Sequence, residues 1–459
     1  MTKKRKKKRI RTEFIMYLCV SLAIIGGFVF FLTRGGSDKE LKNLGYSPAH
    51  ITVIKNEKLA KTFARCGKSS LMVKALNEDI NNIRFHDYFL IADDALPKGY
   101  DADNLYDALL KLKDKYSAEE TKLLIKEISS EEISALYDHE KIEDIKQLIS
   151  YHQNGYTVNE CLRLMEAGNN QVSEADIKVL TSKGYSKEDA EIIGRLLSKE
   201  DVSLIMSADK TIPELRQLAL QEGFNIDLLP RYLMQVRDQK LSYEEAVAKV
   251  NGNGDYIPES EIDWSALYHD EKQAANYDSY TACINKQNFL PEDYEPSDLV
   301  DLPYGYYGNY HPMRKAAADA LVAMSDAAVN AGYDRIIGQS NYRSYSKQKG
   351  LYEGYASWDG YANADRYSAR PGFSEHQTGL VCDVATYYVS MDYFDTYKGY
   401  DWVMENAHTF GFIQRYPIHK EYLTGYEYES WHFRYVGVQP ATIMYQHGWT
   451  LEEYTLLFD

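Results

Sequence analysis

A carboxylate set inside an apolar run restricts the fold of a chain more than any bulk property. In SEHQTGLVCDV, Ser374 to Val384, the residues Leu380, Val381 and Val384 read as a strand entering a core, with Cys382 and Asp383 among them. A buried carboxylate without a partner is strongly destabilising, so Asp383 needs a cation, a hydrogen-bond cluster or a metal. His376 lies upstream in the same stretch. A second stretch, YEYESWHFRYVG, supplies Glu429, Trp431, His432 and Arg434. Together they hold two imidazoles, one carboxylate ligand and a spare carboxylate. That is the inventory of a catalytic zinc site, with three protein ligands, an open position and a base beside it. Such spacings also arise by chance, so the residues alone leave both a metal site and a structural polar cluster open.

The N-terminus carries a different constraint. MTKKRKKKRIRTE holds eight Lys/Arg against one Glu, and FIMYLCVSLAIIGGFVFFLT, Phe14 to Thr33, has no charge. Twenty residues without a charge match the hydrocarbon thickness of a bilayer. The following TRGGSDKE offers no small-residue cleavage site, which argues for an uncleaved anchor over a signal peptide. The expectation is a cytoplasmic basic tail (1–13), a transmembrane helix (14–33) and an extracellular remainder.

The net charge is −16 despite that basic tail, so the rest of the chain is more acidic still. This excludes a generic nucleic-acid-binding surface. Cys19, Cys66, Cys161, Cys283 and Cys382 are scattered without a CxxC pair, which predicts buried thiols rather than a disulfide scaffold or a cysteine zinc site.

Residues 37–250 read as helix after helix. LGYSPAH, DKYSAEE, NGYTVNE, KGYSKED and EGFNIDL each place an aromatic before a capping Ser, Thr or Asn. Ser117 with Glu120, Thr157 with Glu160, and Ser242 with Glu245 fit the capping box. Tyr116 and Tyr185 of two such motifs lie 69 residues apart, as two interleaved helical units per period would explain. A stacked helical array and a non-repetitive bundle both fit. NGNGDYIPESEIDW opens a linker, 251–278, rich in Gly, Asn and Pro. From 279 to 459 helix, strand and turn alternate, which predicts an α+β domain.

Within that domain, YRSYSKQKGLYEGYA, DRYSARPGFSEHQTGLVCDV and TGYEYESWHFRYVG resemble the VanY-type D-alanyl-D-alanine carboxypeptidases, zinc peptidases grouped with lysostaphin-like enzymes and the hedgehog domain. The family pattern S-x-H-x6-D, then E-x-W-H, with Y-R-S upstream, occurs in order between Ser279 and Thr455. The resemblance implies that His376, Asp383 and His432 bind zinc. It implies that Glu429 is the general base, taking a proton from the attacking water and delivering it to the leaving amine. Arg343 would stabilise the oxyanion-like transition state, and Ser374 and Gln348 would bind substrate. Two departures stand out: Ser430 where the family commonly has proline, and Cys382 where a small aliphatic residue is usual. Strand alternation points Cys382 away from the metal. His408 and His419 read as ordinary surface or core histidines, and Trp431 as packing that orients His432.

The expectation is thus a membrane-anchored extracellular zinc D,D-carboxypeptidase. Its partner would be the peptidoglycan stem peptide, from which it removes the terminal D-alanine. An L,D-carboxypeptidase acting on the tetrapeptide and a non-catalytic wall-binding protein are the alternatives.

Overall fold

The computed structural model describes residues 38–56, 95, 98–100, 102–167, 172–309 and 312–458. The basic tail and the uncharged run 14–33 lie outside the described residues. Among the described residues no helix is long and apolar enough to cross a membrane. The chain divides into two compact units, Met1–Gly168 and Asn169–Asp459.

In the first unit the capping chemistry operates as the sequence predicts. Helix Ala118–Glu127 starts at a Ser117–Glu120 capping box, and Val158–Glu166 at a Thr157–Glu160 box. The Tyr116 hydroxyl accepts a 3.2 Å bond from the Ile142 amide, and the Lys115 ammonium donates to the Leu136 and His139 carbonyls. The same device recurs within the second unit. There the Tyr185 hydroxyl accepts from the Ile212 amide at 3.1 Å, and Lys183 donates to the Met206 carbonyl. Each tyrosine hydroxyl satisfies a buried amide 26 or 27 residues further along the chain.

The C-terminal part of the second unit is α+β. Four strands, β1 Ile336–Ser340, β2 Val381–Thr386, β3 Phe412–Gln414 and β4 His432–Tyr435, form an antiparallel sheet in the order β1-β2-β4-β3. Helix α1, Lys315–Asn330, packs Ala317, Leu321 and Met324 against Cys382, Val384 and Phe433 on one face of the sheet. Alternation therefore turns Asp383 and His432 to the other face. Cys382 is fully buried in the α1-side core, as its place in the strand predicts. Helices α2, Tyr345–Asp359, and α3, Tyr361–Tyr367, follow β1, with Ser344 capping α2. A single 3₁₀ turn, Glu375–Thr378, leads into β2 and ends at Gly379 with φ +67°. A Cβ at Gly379 would meet Leu299 at 2.8 Å and Arg314 at 3.0 Å, so backbone and space both require glycine there.

The domain closes with α4, Val438–His447, and α5, Leu451–Phe458. Met444, Leu451 and Leu457 of these helices share one core with Ile193, Leu229, Leu233 and Val250 from the preceding helices. Truncating such a buried leucine to alanine costs about 2–5 kcal/mol. The Trp449 indole N–H also donates to the Asp227 carbonyl at 2.6 Å. Residues 172–251 are thus packed as part of the unit that holds the sheet, and Arg231 pairs with Asp255 beyond them at 2.5 Å.

Candidate metal centre and active site

The sheet register assembles the centre. Asp383 on β2 is the direct partner of His432 on β4, and Ser340 on β1 is its partner on the other side, across a bulge after Gly338. Directly opposed residues point to the same face, so the backbone ladder sets the spacing of these side chains. His376 reaches the same point from the 3₁₀ turn. One ligand atom from each of His376, Asp383 and His432 lies within 4.8 Å of the others, and all three residues are buried.

Ring orientations follow from their hydrogen bonds. His376 Nδ1 is 2.6 Å from the Asn341 carbonyl, which leaves Nε2 facing Asp383 at 3.3 Å. His432 turns Nδ1 toward Asp383 at 3.2 Å and Glu429 at 3.1 Å. Burial, with the Arg343 charge nearby, lowers the His376 pKa to about 3, so its ring is a neutral donor. Burial would raise the Asp383 carboxyl, but His376, His432 and Arg343 outweigh it and hold the pKa at about 2. Burial disfavours a charged His432, yet the nearby carboxylates of Asp383, Glu375 and Glu429 override it and raise that pKa well above the ordinary value. The carboxylates therefore favour positive charge at this point. Asp383 Oδ1 is buried and accepts no hydrogen bond. Two imidazole nitrogens and one carboxylate oxygen, converging and partly unsatisfied, are a donor set that fits a divalent zinc ion.

The groups around the centre are equally fixed. Glu429 sits three residues before His432 on a turn whose amide donates to the Tyr416 carbonyl at 3.1 Å and whose carbonyl accepts from Gln414. Ser430 is buried in that turn, which these bonds anchor without a proline. Burial raises the Glu429 pKa, against the pull of His432. Arg343 follows β1, and its Nη2 lies 3.0 Å from Ser340 Oγ and 4.0 Å from Asp383. Its Nη1 donates to Gln348 Oε1 at 2.8 Å, while the Gln348 amide donates to the Ala369 carbonyl at 2.6 Å. Gln348, only 1% exposed, thus holds Arg343 in place. Ser374, Arg343, Gln348, Glu429 and the three candidate ligand residues line one cleft. Trp431 lines it too, and packs against the sheet core.

His408 stacks on Tyr445 and bonds Thr442, and neither it nor His419 lines the cleft. Sequence reasoning passed over Tyr416, whose ring lies 4.7 Å from that of His432, and Tyr426, which also lines the cleft. Among forty tyrosines nothing in the local sequence singles these two out.

The VanY family model, described as D-alanyl-D-alanine carboxypeptidase, matches residues 310–438. YodJ of Bacillus subtilis is 43% identical over 187 residues, which is 39% of this chain and 68% of that protein. This chain belongs to the VanY family. The bifunctional D-Ala-D-Ala dipeptidase and carboxypeptidase VanXYC of Enterococcus gallinarum is 34% identical to this VanY-family chain over 177 residues, 37% of this chain and 90% of its own length. The solved structure of the LD-carboxypeptidase LdcB is 40% identical, covers 42% of this chain and 92% of its own, and has a TM-score of 0.39. As a VanY-family member the chain is a zinc carboxypeptidase, and its donor set meets that requirement.

Proposed function

We propose that this protein is a membrane-anchored zinc D,D-carboxypeptidase that removes the terminal D-alanine from peptidoglycan stem peptides outside the cell. The observation that carries this reading is the convergence of His376, Asp383 and His432 with Glu429 and Arg343 beside them on one cleft. Zinc, when bound, supplies a Lewis acid that acidifies water and polarises the scissile carbonyl. Glu429 acts as general base toward the attacking water and then protonates the leaving amine, a role that suits a buried carboxylate with a raised pKa. Arg343 stays charged and offers planar donors to the developing oxyanion. Gln348 fixes that guanidinium, and Ser374 contributes to the substrate-lining wall.

The anchor reading rests on the basic tail and the uncharged run 14–33, whose length and charge asymmetry suit a single span with the C-terminal domain outside. A reporter fused after Asp459 and recovered in the cytoplasm would overturn it.

The specificity test is incubation of the purified zinc-loaded protein with stem pentapeptide and, separately, stem tetrapeptide, following alanine loss by mass spectrometry. Loss from the pentapeptide that stops at tetrapeptide is the expected result. Loss from the tetrapeptide alone makes the enzyme an L,D-carboxypeptidase. Loss from neither, with zinc bound, overturns the carboxypeptidase reading in favour of an endopeptidase or a wall-binding protein.

A further inference from the structure

A buried carboxylate stands behind one of the ligand histidines. Glu375 precedes His376 in the chain, and its side chain is wholly buried. Its two oxygens have different surroundings. Oε1 accepts from Arg415 Nε at 2.9 Å and from Arg434 Nη1 at 2.6 Å. Oε2 accepts no hydrogen bond from either arginine or from any other described group. It faces His432 Nε2 at 3.7 Å, and that nitrogen also lacks a hydrogen-bond partner. The remaining guanidinium N–H groups of Arg415 go to Glu452, and those of Arg434 to the Tyr280, Ala282 and Tyr435 carbonyls.

A carboxylate present only to neutralise two arginines would share both oxygens between them. Here one oxygen serves both, and the other is turned to the imidazole. The opposite side of that ring, Nδ1, faces Asp383 and Glu429. We infer that Glu375 is a positioning residue whose free oxygen takes the Nε2–H of His432, leaving the Nδ1 lone pair for the metal. A carboxylate behind a ligand imidazole fixes its tautomer and ring angle and raises its donor strength. Arg415 and Arg434 hold Glu375 in place, and Arg434 lies on β4 two residues beyond His432, so one strand carries both the ligand and the clamp on its partner. This inference rests on the zinc reading of the site.

The test uses the full-length protein, with zinc affinity measured by chelator competition and apo-protein Tm measured in parallel. Glu375→Gln keeps the size and one acceptor for the arginines but removes the anionic acceptor for Nε2–H. Its zinc affinity should fall by about 10- to 100-fold. Glu452→Gln breaks a buried pair to Arg415 without touching His432, and should lower Tm while leaving zinc affinity within about twofold of wild type. Equal zinc affinity in Glu375→Gln and wild type, with only Tm lowered, would reduce Glu375 to a structural counter-ion. Should Glu375→Gln fail to fold, ¹⁵N-histidine spectra of the zinc-loaded wild type decide. His376 should carry its proton on Nδ1 and His432 on Nε2; a His432 ring protonated on Nδ1 overturns the inference. Wild-type protein that binds no zinc overturns the zinc reading itself, and this inference with it.

Discussion

Asp383 and His432 are register partners on adjacent antiparallel strands, and their facing atoms, Oδ1 and Nδ1, are 3.2 Å apart. Two of the three candidate ligand residues are therefore placed by the backbone ladder, before any side-chain contact is made. Asp383→Ala leaves the two histidines in position but removes the anionic donor. The expected loss of zinc affinity exceeds the roughly 10- to 100-fold typical of outer-shell changes. Metal content after dialysis reads this directly, and stoichiometric zinc in the variant would exclude Asp383 as a ligand.

Glu429 touches His432 at 3.1 Å yet is not needed to complete the donor set. Glu429→Gln should lower kcat by about 10²- to 10⁴-fold, the range for a positioned general base, with zinc still bound. Full activity of the zinc-loaded variant would assign the base elsewhere.

Gln348 acts through Arg343, since its carbonyl accepts the Arg343 Nη1–H and its amide is anchored to Ala369. Arg343→Ala should cost about 10²- to 10³-fold in kcat, as for an oxyanion-stabilising donor. Gln348→Ala should cost less, and the double variant should be no worse than Arg343→Ala alone. Additive losses would mean that Gln348 contacts substrate independently.

Stability should carry a pH signature from Lys286, which is 2% exposed and donates to the Asp365 carbonyl at 2.6 Å beneath the ring of cleft-lining Tyr426. Burial lowers its pKa from the ordinary 10.5 to about 7, against the upward pull of Asp365. Between those values the unfolded chain binds more protons than the folded one, so this group makes stability rise with pH across that window. Below about pH 7 both states are protonated and its contribution is flat. Thermal melts of wild type and Lys286→Met across this range test the point, with the wild-type rise absent in the variant. Parallel curves would show that Lys286 keeps its charge on folding.

Cys382 neighbours Asp383 in sequence but faces the α1 side of the sheet, and burial raises its thiol pKa well above the ordinary value. Cys382→Ala should retain activity within a few-fold and lose only packing stability, and thiol reagents should leave the native enzyme active. Rapid inactivation by such a reagent, absent in Cys382→Ala, would contradict that placement.

The chemistry of the site was legible because its residues are close in the chain or held by short patterns. His376 lies on a short turn and Asp383 on the strand it leads into, and Glu429 lies three residues before His432. A buried carboxylate in an apolar run has few physical solutions. The helix caps were legible for a similar reason, since an N-cap and its partner lie three residues apart. Other features depended on contacts between segments far apart in sequence. The pairing of β2 with β4, the reach of Glu375 to His432, the use of Gln348 to hold Arg343, and the single core shared by α4, α5 and the helices of 172–251 are of this kind. Local sequence fixes which groups are present and which face of an element they occupy. Only packing decides which distant groups meet, because burial is non-directional and its partners are chosen by the whole fold.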